Sequence, residues 1–134
     1  METIFCIGCL NYDYYQLPTA EFAYLGGSTT NTAYFLSTLL EHTQFKVELA
    51  SLIGTDVQGQ QVENLLIKKT FGHGYVKKWE GHTGSTMITL DKKGERTIIR
   101  LPSVISNLPQ YIRDSKMIQI LHGQKIHLKG SLEL

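Results

Sequence analysis

The hydrophobic pattern of the chain changes rhythm along its length. Ile4-Phe5-Cys6-Ile7-Gly8-Cys9-Leu10 is apolar on both alternations, as expected for a strand covered on both faces inside an α/β sheet. Residues 47–53 read as a second strand of that sheet. Between them Ala33, Phe35, Leu36, Leu39 and Leu40 recur at helical spacing, which predicts a helix laying this stripe against the sheet. After Ile53, the turn Gly54-Thr55-Asp56-Val57-Gln58-Gly59 leads into a second amphipathic helix. Its Val62, Leu65 and Leu66 point inward, and Lys68 and Lys69 lie at the end that favours cations.

Downstream the segments shorten and alternate with polar residues, at 75–79, 85–90 and 97–101. Asp91-Lys92-Lys93-Gly94-Glu95 joins the last two with hairpin-turn chemistry. All three segments read as an antiparallel patch extending from the α/β body as a flap. Residues 107–114 suit a short helix containing Pro109, and residues 117–121 a further strand. Ile126, Leu128, Leu132 and Leu134 suggest a helix that is only beginning.

Composition narrows the class. At 134 residues and 42% hydrophobic the chain can bury a core, and 13 basic against 12 acidic residues give a net charge of +1. That balance supplies no electrostatic footprint for nucleic acid or an anionic membrane. The first apolar run is too short to span a bilayer, and no Lys or Arg precedes it as a signal peptide requires. The expected compartment is therefore the cytoplasm.

Several candidate chemistries are weak. Cys6 and Cys9 have redox or half-zinc spacing, but residues three apart on a strand face opposite sides and no second Cys pair exists; both are expected to be buried, reduced core thiols. The five histidines show no ligand spacing; His122, at the end of the 117–121 segment, is the one placed near a ligand edge. The lysine pairs suit a solvated surface. No metal site is expected.

The loop Gly26-Gly27-Ser28-Thr29-Thr30-Asn31 carries more information. Two glycines let the backbone approach a bound molecule, and the helix that follows offers free N–H groups. Asn31 adds a donor and an acceptor suited to a hydroxyl-bearing substrate. The plainer reading is a tight turn with Ser28, Thr29 or Thr30 as cap. Asp13, beyond the first strand, is either a turn residue or a carboxylate that accepts from two neighbouring hydroxyls. Asp56 reads as support for its turn and helix dipole. Neither a Walker nor a Rossmann phosphate loop is present.

Taken in order, Gly8 to Asp13, Gly26-Gly27-Ser28-Thr29-Thr30-Asn31-Thr32-Ala33, Ile53-Gly54-Thr55-Asp56-Val57-Gln58-Gly59, Thr83-Gly84 and Asp91-Lys92-Lys93-Gly94-Glu95-Arg96-Thr97, followed by residues 117–121 and Gly123, the chain resembles the N-terminal part of the PfkB (ribokinase-like) family of carbohydrate and nucleoside kinases. The resemblance implies an incomplete Rossmann-like α/β fold, a parallel sheet with flanking helices plus a small β-sheet lid, over residues 1–134, with lid strands within 12–25 and 74–101. It implies that Asp13 and Asn31 bind substrate hydroxyls and that Gly26 and Gly27 provide the close backbone approach. Asn11 and Ser28 add contacts, and Arg100 reaches a charged substituent. Thr29 stands where the family usually has Gly or Ala, and Leu39-Leu40-Glu41 replaces its common Leu-Gly; these departures bear on substrate identity and on the connection after the first helix.

The family's reaction needs ATP, Mg2+, an aspartate base and a Gly-rich helix N-terminus, the last two supplied by a G-A-G-D motif that this chain lacks. We therefore expect no catalytic or cofactor-binding residue here, a catalytic unit cut short, and no phosphotransfer by the chain alone. A non-catalytic chain that binds a polyol or a partner is the alternative. Expected partners are a small sugar or nucleoside and a second copy, met through the lid or an open sheet edge.

Overall fold

The computed structural model describes residues 2–115, residue 117 and, as a backbone strand, residues 125–129. In chain order come β1 (Glu2–Gly8), β2 (Asn11–Gln16), β3 (Glu21–Gly26), α1 (Ser28–Leu39), β4 (Phe45–Ile53), α2 (Val57–Leu66), β5 (Gly72–Lys78), β6 (Ser85–Leu90), β7 (Arg96–Arg100), a 3-10 turn (Val104–Asn107), α3 (Leu108–Asp114) and β8 (Lys125–Lys129). The strands form two sheets, ordered β5-β4-β1-β8 and β3-β2-β6-β7. Every pairing in the first is parallel. The second is mixed: β3 and β7 run antiparallel to β2 and β6, which are parallel to one another.

The first sheet is covered on both faces, which is why its central strands are apolar on both alternations. Cys6, Val47, Leu49 and Ile53 pack under α1 and α2 with Ala33, Val62 and Leu66. Phe5, Ile7, Ala50 and Leu52 pack on the other face with Val104, Leu108, Tyr111 and Ile112. The parallel sheet with flanking helices, beside a second four-stranded sheet, is the α/β architecture that the sequence implies.

The details depart from it in several places. Phe35 and Leu39 are 63% and 76% exposed, because Thr29, Ala33, Leu36 and Leu40 complete the inward stripe at intervals of three and four and rotate the other two outward. No side chain caps α1; its N-cap is Gly27, not Ser28, Thr29 or Thr30. Residues 75–79 do not belong to the antiparallel patch: β5 pairs in parallel with β4, and Tyr75 and Val76 pack against the two opposite core clusters. Cys9 is only half-buried and lies past the end of β1, so it is not a core thiol. Ile126 and Leu128 sit in strand β8, paired with β1, rather than in a helix; their spacing of two fits a pleat better than a helical turn. Met117 is buried and helical, not the start of a strand; the remainder of the expected 117–121 strand, with His122 and Gly123, lies outside the described residues.

Candidate functional site

The site begins where β1 ends. From β1 the chain proceeds to β4 and then β5 on one side, while β8 lies on the other, so the C-terminal end of β1 is a topological switch point, where open α/β sheets hold ligands. The Ser51 hydroxyl fixes that end by donating to the Gly8 carbonyl at 2.6 Å. Beyond it the chain does not turn away as a loop: Asn11 through Gln16 pair with β3 and β6, which sets the side chains in a fixed alternation.

Asn11 and Asp13 share one face of the second sheet. The Asn11 amide donates to the Thr86 hydroxyl at 3.1 Å. Asp13 stands directly opposite Thr86, and Thr86 opposite Arg100, so Asp13, Thr86 and Arg100 form one row across three strands. Burial raises the Asp13 pKa above its ordinary value, against the opposing pull of the Arg100 charge and the Thr86 hydroxyl. The carboxylate lies over Gly26, where any Cβ would collide with it. At Gly27 the requirement is conformational as well as steric, since its φ is +97° and a Cβ would run into the Cys9 carbonyl. This glycine pair brings the N-terminus of α1 up to the face that carries Asp13.

Ser28 and Asn31 are both exposed on the first turn of α1, three residues apart and so on neighbouring positions of the helix surface. Cys9 is the group that meets this end of the helix, with its Sγ 3.6 Å from the Ser28 Oγ. Burial raises the Cys9 pKa, but hydrogen bonds from the Ser28 hydroxyl and from the Thr29 and Ser28 backbone outweigh it and leave the thiol below its ordinary value. Cys6, inside the core, is pushed up to about 11 by burial. The C-x-x-C spacing thus joins an inert thiol to one beside the site.

The second sheet is tied to the body by a polar clasp. Asp56 caps α2 by accepting from the Gly59 N–H at 2.9 Å, and it also accepts from the Thr83 N–H at 2.9 Å and the Thr83 hydroxyl at 2.6 Å. The Gly54 N–H donates to the same Thr83 hydroxyl at 2.8 Å. Burial pushes the Asp56 carboxyl up, but these hydrogen bonds prevail and hold it below the usual carboxylate range. From Thr83 the chain enters β6 through Gly84, whose carbonyl accepts from the Tyr12 N–H at 2.8 Å. The turn-supporting role expected of Asp56 is present, and its reach into the base of the second sheet was not read from the sequence.

The structure therefore brings Asn11, Asp13, Gly26 and Gly27 together around the α1 N-terminus, with Ser28 and Asn31 on that helix turn and Arg100 at the far end of the Asp13 row. Thr86 was missed, Thr83 entered only as part of the motif order with no role of its own, and Cys9 was read as a core thiol. The cue for Thr86 was the alternation of residues 85–90, which puts one hydroxyl level with Asp13 only after the strands are registered.

Among the described residues no three His, Cys, Asp or Glu side chains are grouped to hold an ion, and the chain contains no G-A-G-D. Among the described residues, too, no helix is long and apolar enough to cross a membrane.

Comparison with known proteins gives a consistent picture. Ribokinase from Giardia lamblia superposes with a TM-score of 0.73 at 18% identity, over 96% of this chain and 42% of that one. Fructokinase with bound ATP from Xylella fastidiosa gives 0.62 at 19%, over 75% and 33%. The nucleoside kinase of Methanocaldococcus jannaschii gives 0.61 at 22%, over 85% and 40%. The chain thus spans less than half the length of these structures, and at such identities they show a shared fold. No curated protein matches the sequence. The family model for pfkB family carbohydrate kinases matches residues 1–132, nearly the whole chain, and the chain belongs to that family.

Proposed function

We propose that this chain is the substrate-binding and lid portion of an ATP-dependent kinase that transfers the γ-phosphoryl of ATP to a hydroxyl of a sugar or nucleoside. The observation that carries the reading is the Asp13 carboxylate laid over Gly26 beside a helix N-terminus that no side chain caps. An acceptor-only carboxylate suits two neighbouring hydroxyls of a polyol, and the glycine pair leaves the backbone room to approach it. In this reading Asp13 and Asn31 hold hydroxyls, Asn11 and Ser28 add contacts, Gly26 and Gly27 admit the substrate to the backbone, and Arg100 faces a charged substituent. The second sheet acts as the lid. ATP and Mg2+ are held by residues other than those of this chain, so the chain alone has no phosphotransfer activity. We place it in the cytoplasm, with no nucleic-acid or membrane partner. Met87, Ile99 and Leu101, exposed on the lid face opposite Asp13, offer a surface for a second copy.

Titration calorimetry with a panel of sugars and nucleosides tests the site. Wild-type chain binds at least one of them, and Asp13→Asn weakens that binding by roughly tenfold or more, as loss of a charged hydrogen-bond acceptor does. Because the Asp13 pKa is raised, binding declines on acidification before an ordinary carboxylate would protonate. Binding indifferent to Asp13→Asn refutes the site. Phosphotransfer from ATP by the purified chain refutes its assignment as the non-catalytic portion.

A further inference from the structure

The face of the lid that carries Asp13 also carries aromatic rings for which hydroxyl binding has no use. In the β2–β3 register Tyr15 faces Phe22 and Asp13 faces Tyr24, and alternate residues of a strand share a face, so Asp13 and these three rings look the same way. Tyr15 and Phe22 stack with centroids 5.1 Å apart and planes 19° apart. Tyr24 stands edge-on to both, at 6.0 Å from Tyr15 and 5.3 Å from Phe22. The stacked pair suffices to pin the hairpin. Tyr24 is the member nearest Asp13 along the strand, and it is 60% exposed.

We propose that Tyr24, backed by Tyr15 and Phe22, is a platform for a planar aromatic substituent, so that the polyol bound at Asp13 is a nucleoside in preference to a free monosaccharide. This rests on the reading of Asp13 as a hydroxyl-binding residue. Directly opposed residues of an antiparallel pair have Cβ atoms about 5 Å apart, so a base attached to a sugar ring held at Asp13 comes within reach of the Tyr24 ring. A free pentose or hexose leaves that ring in water. The other flank of the row argues less strongly for an acidic sugar, because the Arg100 charge already acts on the Asp13 carboxylate, whereas Tyr24 has nothing on its open side among the described residues.

The test is calorimetric titration of the 134-residue chain with adenosine, uridine, ribose, fructose and gluconate, repeated on Tyr24→Ala, Tyr24→Trp and Asp13→Asn. At least one nucleoside binds roughly tenfold tighter than ribose, the gain of one base stacked on an aromatic ring. Tyr24→Ala removes that margin and leaves ribose affinity unchanged; Tyr24→Trp keeps it. Ribose or fructose binding as tightly as the nucleosides overturns the platform and leaves the hydroxyl site standing. So does equal weakening of every ligand by Tyr24→Ala, and so does gluconate as the tightest ligand. Absence of binding by all five, or binding indifferent to Asp13→Asn, overturns the hydroxyl site and the platform with it.

Discussion

β4 and β7 are strands of one small protein with opposite surroundings. Residues 47–53 of β4 are buried without exception, whereas every residue of β7 is exposed. The body sheet is held between two apolar clusters and is cohesive by burial alone. The second sheet has less cover: Tyr12 and Leu25 pack against the body cluster, and Asp56 ties its base to the body through Thr83.

Breaking the body has the largest effect. Leu49 is fully buried under α1 and α2, and Leu49→Ala lowers unfolding free energy by about 3 kcal/mol, the cost of a core cavity, measured by urea denaturation. Breaking the tie comes next. Asp56→Ala removes the α2 cap and both Thr83 contacts and costs about 2 kcal/mol. Its distinguishing sign is faster amide exchange in β6 than in β4; equal acceleration in both strands means that the clasp does not set the lid apart. Since the folded Asp56 pKa lies below the unfolded one, the stabilisation is complete above the unfolded value, about 3.9, and is lost as pH falls through the folded value. β6 protection therefore holds at neutral pH and decays only in acid. The smallest effect belongs to the lid surface. Ile99, 48% exposed, is replaced by Ser with a stability change within about 0.5 kcal/mol. If a second copy docks on this face, sedimentation velocity shows a dimer for wild type and a monomer for Ile99→Ser; a wild-type monomer removes that interface.

The contrast between the two sheets also governs how far the sequence could be read. β1, β4 and α2 were legible because burial on both faces, or on one helical stripe, writes an unambiguous periodicity. Gly26, Gly27 and Asp13 stood out as site candidates through the family resemblance, since a glycine pair and a strand-end aspartate by themselves equally suit turns. Residues 75–79 were misassigned since a short alternating strand looks the same at the edge of either sheet. Phe35 and Leu39 were misassigned since a wide apolar stripe does not reveal which of its edges is turned to solvent. Cys9 was misread because its environment is supplied by Ser28 and Thr29, remote in sequence and brought close by the glycine turn.

By itself the sequence determined the class of fold, the body elements β1, α1, β4 and α2, and the family likeness, because each is encoded in local patterns. The tertiary structure decided which sheet each short strand joins and how Asp56 reaches Thr83 at the base of the second sheet. It also decided that Asp13 shares its face with Thr86, Arg100 and three aromatic rings. Those relations depend on strand register and on contacts between residues far apart in the chain, and no local periodicity carries either.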